Sequence, residues 1–150
     1  MSLKKQKIKS YQNNIILLAL LFFLFNETVL FAYEIEMKCK NYKYKYISEN
    51  GAKKVYSSSL KRDKGEYHLW CPTSLTERNS KFMKSITNAS LVISDEKAIC
   101  TVEKYVMKNG GVGKNQTSVN DFAKLERTTE YYWNDNPKKI VKKEKCKLIK

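Results

Sequence analysis

Histidine and closely spaced cysteines are what this chain most clearly lacks. His68 is its only histidine, and its four cysteines are separated from one another by long stretches of sequence. A structural zinc site usually begins with a C-x-x-C or a similar close pair of ligands. Because no such pair is present, the sequence predicts no metal site and no cofactor.

Motifs for nucleophilic catalysis are also missing. No G-x-S-x-G turn is present to expose a serine nucleophile. On a strand His68 would point to the face opposite Cys71, so these neighbours cannot form a nucleophile and its base. The glycine-containing residues 110–114 depart from a phosphate-binding loop, because Lys108 occupies the place of its first glycine. The sequence therefore favours a protein without catalytic equipment. A catalytic site assembled from distant strands stays an open alternative.

Arginine is scarce although the chain is strongly basic. Lysine and arginine together number 29 against 15 acidic residues, a net charge of +14, but only Arg62, Arg78 and Arg127 are arginines. Such a charge attracts polyanions, and the expected partner is an anionic component of the cell envelope or an acidic protein. Lysine binds phosphate less specifically than the planar fork of arginine does. Nucleic acid is therefore disfavoured as a partner.

The longest apolar run lies near the N terminus. Lysines at positions 4, 5, 7 and 9 precede an apolar run over residues 15–25, and Ala32 supplies a small residue at a suitable cleavage point. This order is typical of a secretory signal peptide. We expect residues 1–32 to be this signal peptide and residues 33–150 to be one exported domain, periplasmic or extracellular in a bacterium. The alternative is an uncleaved anchor, through which alone the protein would contact a membrane.

All four cysteines lie in the predicted exported domain. Cys39, Cys71, Cys100 and Cys146 form an even set in a small domain, which predicts two disulfide bonds. Four cysteines allow three connectivities, and the sequence alone leaves them open. Our choice among them joins Cys39 to Cys146, near the two ends of the domain, and Cys71 to Cys100.

Alternation of side-chain type indicates the first strands. The odd-numbered residues from Tyr33 to Cys39 share one face of an extended chain, and the tyrosines at 42, 44 and 46 continue the pattern after a change of phase. A bulge or a short break at residues 40–41 would explain that change. Asn50-Gly51 then predicts a tight hairpin whose return strand covers residues 52–58. We expect the tyrosines to face the core and the lysines between them to face outward.

The rest of the chain alternates between short extended stretches and turns. A capping box at Ser74 and Glu77 predicts one short helix after Cys71, from about Leu75 to residue 85 or 88. Strands are predicted over residues 66–71, 90–93, 98–107, 125–133 and 140–148, and a polar loop is predicted over residues 109–118. The predicted fold is mainly β, a small antiparallel sandwich or barrel of about eight strands.

The segment from Trp70 to Ser74 supplies the strongest alternative to a binding function. Its sequence, Trp-Cys-Pro-Thr-Ser before a predicted helix, resembles the active-site segment of thioredoxin-like proteins with a single reactive cysteine. The resemblance implies a thiol-redox protein in which Cys71 is the nucleophile, its thiolate stabilised at the helix N terminus. A structural disulfide at Cys71 is the competing interpretation.

The densest basic segment is at the C terminus. Its lysines could contact an anionic partner, or they could be the solvated face of a final strand whose charges keep the edge from pairing. The candidate contacts are Lys138, Lys139, Lys142, Lys143 and Lys145. Taken together, the sequence predicts an exported, basic, disulfide-bonded β domain that binds a partner at the cell envelope without catalysing a reaction.

Overall fold

The described part of the chain is built almost entirely of antiparallel strands. The computed structural model describes residues 32–150, so the predicted signal peptide lies, apart from Ala32, outside the described residues. The elements are β1 (Tyr33–Cys39), β2 (Tyr42–Glu49), β3 (Ala52–Ser59), β4 (His68–Leu69), α1 (Glu77–Ser80), β5 (Met83–Ser94), β6 (Lys97–Met107), β7 (Val112–Asp121), β8 (Glu126–Trp133), β9 (Ile140–Lys145) and β10 (Lys147–Leu148). Among the described residues, no helix has the length and apolar character needed to cross a membrane.

The strands form two sheets of five strands each. The first has the order β10-β1-β2-β3-β4 and the second the order β5-β6-β7-β8-β9. The prediction of a mainly antiparallel β fold is confirmed. The barrel that we named beside the sandwich is wrong, because the described strands divide into two separate sheets instead of closing into one.

The first sheet follows the alternation in the sequence closely. The change of phase at residues 40–41 is a two-residue turn in which Lys40 has a φ of 49°, and β2 runs back along β1 from there. The Asn50-Gly51 turn has φ values of 51° and 76°, which these two residues tolerate better than others. Tyr44 and Tyr46 are buried. The lysines between and beside them pair with glutamates of β1 on the opposite face.

The predicted helix is present only as a single turn. α1 begins at Glu77, its N-cap is Thr76 and not Ser74, and it ends at Ser80. The helical prediction for residues 81–88 is wrong because β5 begins at Met83 and pairs with β6 along nearly its whole length. The spaced apolar residues cannot form a buried helical face, since Leu75 and Phe82 are both exposed. Pairing with the following strand, β6, here outweighs a weak local helical pattern.

The predicted loop over residues 109–118 is also wrong, because most of it is the central strand β7. β7 pairs with β6 on one side and β8 on the other. Its glycines suggested a flexible loop, but two of the three, Gly111 and Gly113, make room for an aromatic ring. A Cβ atom at Gly113 would overlap the ring of Tyr105, and one at Gly111 would overlap the ring of Trp133. The glycines therefore allow two aromatic side chains to lie across the strand.

Side chains from both sheets pack together in the larger of two core clusters, and two disulfides link segments that are distant in sequence. Met37, Tyr46 and Val55 from the first sheet pack in a cluster with Ala98 and Phe122 from the second sheet and its turn. Two disulfides are present, which confirms that prediction. They join Cys39 to Cys146 and Cys71 to Cys100, the pairing that we chose among the three.

Candidate functional site

The C-terminal lysines do not form one surface. Lys142 lies with its Nζ atom 5.4 Å from the centre of the Tyr131 ring, facing the first sheet's side of the strand. Lys143 and Lys145 alternate with it and point to the other face of β9. Lys139 is paired with Glu130, and Lys138 lies in the turn before β9. Of the five candidate contacts, Lys142 lines a cavity of about 410 Å³, whereas Lys143 and Lys145 line a smaller one of about 140 Å³ together with Arg127.

Cys71 is bonded and buried in this structure. It forms the disulfide with Cys100, and the described residues contain no free cysteine. The segment that resembles a thioredoxin-like active site does not lead directly into a helix, because α1 begins six residues after Cys71. The two features that the thiol-redox interpretation requires at Cys71, a free thiol and a helix N terminus, are therefore absent from the described structure.

The three arginines of the chain converge on one cleft between the sheets. Arg62 follows β3, Arg78 lies in α1 and Arg127 lies in β8, yet all three line the same cavity of about 410 Å³. We call this cavity the basic lobe. Its other lining residues are Tyr42, Tyr44, Ser57, Trp70, Cys100, Gln116, Ser118, Thr129, Tyr131, Lys142 and Glu144. The lining thus carries four cationic side chains and one carboxylate.

Arg62 stands at the mouth of the basic lobe and is exposed. Its guanidinium donates a hydrogen bond of 2.8 Å to the hydroxyl of Tyr42. It also lies 5.4 Å from the centre of the Phe82 ring, a distance typical of a cation–π contact. Among the described residues, no carboxylate forms an ion pair with Arg62. Its charge is therefore available to a ligand.

Arg78 is oriented by a buried carboxylate. Both nitrogens on one side of its guanidinium donate to Asp63, with distances of 3.3 and 2.6 Å. The Asp63 carboxylate is only 7% exposed and also accepts a 2.6 Å hydrogen bond from the backbone amide of Ser59. Burial alone would raise the pKa of Asp63, but these hydrogen bonds and the positive charge of Arg78 outweigh burial and lower the pKa below its ordinary value.

Arg127 lies deepest of the three, where polar atoms lack partners. Its guanidinium is 3.6 Å from a carboxylate oxygen of Glu144, too far for a hydrogen bond, and it lies over the Tyr44 ring. Its Nε atom is buried without a hydrogen-bond partner, as are the hydroxyl of Thr129 and the nearer oxygen of Glu144. Thr129 is 6% exposed. Buried polar groups without partners are rare in folded proteins, and a bound water, ion or polar ligand is one way to satisfy them.

Burial also determines the charge state of the aromatic wall beside Arg127. The pKa of Tyr44 is raised to about 12, mainly by burial; the positive charge of Arg127 opposes this rise and the nearby charge of Glu144 adds to it. Tyr44 is therefore neutral at physiological pH. The Tyr44 ring therefore contacts the Arg127 guanidinium without adding a negative charge that would offset its positive charge.

A second cavity of about 490 Å³ adjoins the basic lobe. We call it the apolar lobe, since Phe82, Met83, Ile86, Val102 and Met107 are among its lining residues. The remaining lining residues are Arg62, Asp63, Trp70, Pro72, Arg78, Asn79, Lys81, Cys100, Tyr105, Gln116 and Trp133. Five residues line both lobes: Arg62, Trp70, Arg78, Cys100 and Gln116. The two lobes are therefore parts of one cleft.

The convergence of the arginines was not predicted from the sequence. Their scarcity was the available signal, because three arginines among 29 basic residues are easily tested for a shared location once a fold is known. The sequence places them 16 and 49 positions apart, on elements whose relative positions it does not state. No family model matches the chain, and comparison with curated proteins and with solved structures found no match either.

Proposed function

We propose that the protein is an exported, non-catalytic binding domain of the cell envelope that holds an anionic partner or ligand in the basic lobe. The observation that supports this proposal is the convergence of Arg62, Arg78 and Arg127 on one cavity. Guanidinium groups match carboxylate and phosphate in geometry, with parallel N–H donors that a lysine lacks. A lysine-rich chain that places its few arginines together has a surface suited to such an anion.

The electrostatic setting favours the cleft over the open surface. The lysines outside the cleft are in contact with water, where an exposed ion pair contributes only about 0–1 kcal/mol. Inside a cleft the effective dielectric constant is lower and the same charges interact more strongly. Arg127 has an unpaired donor, and Arg62 has no carboxylate partner among the described residues. An anion bound there would satisfy donors that the protein itself does not satisfy.

Two features support the export part of this proposal. The two disulfides are compatible with an oxidising compartment. The net charge of +14 would favour encounter with the anionic polymers and lipids of an envelope.

The test is a titration of the purified protein with ethyl phosphate at low ionic strength, in which NMR chemical shifts report the binding. We expect the shifts to centre on the basic lobe, and we expect Arg62→Gln and Arg127→Gln to weaken binding about tenfold or more, as loss of a charged hydrogen bond does. Arg62 is exposed, so its variant is expected to fold even if the Arg127 variant is unstable.

Matched controls remove the same charge outside the cleft. Lys138→Gln and Lys143→Gln lie in the C-terminal basic segment and do not line the basic lobe. These variants are expected to change the affinity for ethyl phosphate by less than about twofold, because solvent and salt screen exposed charges. Equal losses in the lysine and arginine variants would show that binding is a general effect of charge, and the assignment to the cleft would be wrong.

A further inference from the structure

The apolar lobe narrows the chemical class of the ligand. We infer that the ligand is an anionic amphiphile, with a phosphate or carboxylate head in the basic lobe and an apolar chain in the apolar lobe. This inference rests on the proposed function, because it takes the basic lobe as the site of the anionic group.

The size and lining of the apolar lobe fit a hydrocarbon chain. Its volume of about 490 Å³ lies within the ~300–1,000 Å³ of ligand pockets. Methionine, isoleucine and valine side chains line it together with aromatic rings, and flexible methionines adapt well to chains of varied shape. Phe82 is 44% exposed in the described structure.

The junction between the lobes is formed by groups that suit both parts of an amphiphile. Arg62 contacts Phe82 of the apolar lobe through its guanidinium face and donates to Tyr42 of the basic lobe. Trp70 lines both lobes and packs edge-on against Tyr44. A head group bound by the arginines would therefore remain within one side chain's length of the apolar lining. A small free anion would leave that lining exposed to water.

The depth of the basic lobe orients the ligand. Thr129 and Arg127 line that lobe, and the Thr129 hydroxyl and the Arg127 Nε atom are buried without hydrogen-bond partners. A phosphate or carboxylate accepts hydrogen bonds from both kinds of donor. The apolar lobe has Phe82 at its exposed side, so the chain would run from the buried donors toward that ring.

The protein carries a built-in reporter for the apolar lobe. Trp70 and Trp133 are its only two tryptophans, and both line that lobe. Entry of a hydrocarbon chain would remove water from both indole rings. Tryptophan fluorescence would therefore follow occupancy of the cleft, and Trp133, which lines only the apolar lobe, is the reporter specific to that lobe.

The experiment compares four probes below their micelle concentrations by tryptophan fluorescence and calorimetry: ethyl phosphate, dodecyl phosphate, dodecyl maltoside and dodecyltrimethylammonium. Each fully buried methylene raises affinity about threefold to fourfold, so burial of only four of them gives about a hundredfold. We expect dodecyl phosphate to bind about 100-fold tighter than ethyl phosphate and to shift the emission to the blue. The neutral and cationic dodecyl probes are expected to bind about tenfold weaker than dodecyl phosphate or worse.

Variants of the apolar lobe separate the two proposals. Phe82→Ala and Ile86→Ala should weaken the binding of dodecyl phosphate about threefold to tenfold and leave the binding of ethyl phosphate unchanged. Leu69 is exposed and lies outside the cleft, so Leu69→Ala should change the binding of neither probe. If dodecyl phosphate binds no tighter than ethyl phosphate, and ethyl phosphate still requires Arg62, the amphiphile inference is overturned and the proposed function stands. If dodecyl maltoside binds as tightly as dodecyl phosphate, the amphiphile inference is overturned; if ethyl phosphate binding also does not require Arg62, the proposed function is overturned as well.

Discussion

At the scale of single residues, Asp63 holds the cleft in shape. It is the buried partner of Arg78 and also accepts from the backbone of Ser59, so it connects the turn after β3 to α1. Its interactions are made by the ionised carboxylate, as its lowered pKa indicates. Removal of its charge should affect both the stability of the domain and the orientation of one cleft arginine.

We expect Asp63→Asn to lower the free energy of unfolding by about 1–3 kcal/mol at pH 7, the usual cost of disrupting a buried charged hydrogen bond. Because the pKa of Asp63 is lowered on folding, its contribution is complete above the ordinary aspartate value of about 3.9 and is lost as the pH falls through the folded value. The variant should therefore approach the wild type in stability near pH 2. Urea denaturation at pH 7 and at low pH measures the difference.

Asp95→Asn is the matched control for this prediction. Asp95 also pairs with a basic side chain, Lys53, but its own side chain is 98% exposed. Exposed ion pairs contribute little, and we expect no measurable change in the free energy of unfolding. If the two variants were equally stable at neutral pH, the buried pair with Arg78 would have no structural role.

At the scale of elements, β7 is the strand whose formation depends most on its neighbours. Its register partners at Gly113 are Tyr105 on β6 and Trp133 on β8, and these rings lie 6.3 Å apart between centroids. The rings occupy the space above a strand position that has no side chain of its own. The same two rings line the apolar lobe, so the glycine positions determine the shape of that lobe.

We predict that Gly113→Ala destabilises the domain by about 1–3 kcal/mol, the usual cost of inserting a carbon atom into a filled space. The added Cβ atom would overlap the Tyr105 ring, which must then move. Tyr105→Ala removes the ring, so the double variant should lose less stability than the sum of the two single variants. Urea denaturation of the four proteins measures this coupling, and strict additivity would contradict the proposed contact.

At the scale of the whole molecule, the two disulfides connect elements that are distant in sequence. The Cys39–Cys146 bond spans 107 residues and the Cys71–Cys100 bond spans 29. Cys100 also lines both lobes of the cleft. The second bond therefore attaches the segment after β4 directly to the site, while the first attaches the end of the chain to β1.

We predict a larger loss of stability for Cys39→Ser/Cys146→Ser than for Cys71→Ser/Cys100→Ser. Loop-closure entropy gives about 4–5 kcal/mol for the longer loop and about 3–4 kcal/mol for the shorter one. Denaturation of the two double variants, compared with the oxidised wild type, checks the order. The reverse order would mean that packing around the shorter bond matters more than its effect on the unfolded chain.

Counting thiols in the oxidised wild type tests the alternative function. We expect no thiol to react with an alkylating reagent in the absence of reductant, because all four cysteines are bonded in the described structure. A reactive Cys71 in the unreduced protein would support the thiol-redox interpretation instead.

Local signals in the sequence predicted the first sheet better than the second. The tyrosine alternation in β2 and the Asn50-Gly51 turn depend on neighbouring residues, so they could be predicted without knowledge of the fold. β7 and the first half of β5 depend on pairing with the neighbouring strands of the second sheet, which their own side-chain patterns do not indicate. The glycines of β7 and the weak helical spacing before Ile86 both favoured the wrong local structure, and strand pairing outweighed them.

The sequence by itself determined the class of fold, the turns, the basic character and the presence of two disulfides. These properties follow from composition and from interactions between residues a few positions apart. Only the tertiary structure decided that Arg62, Arg78 and Arg127 line one cleft, and that an apolar lobe adjoins it. Such a site depends on the register and packing of strands from two sheets, and no short segment of the chain contains that information.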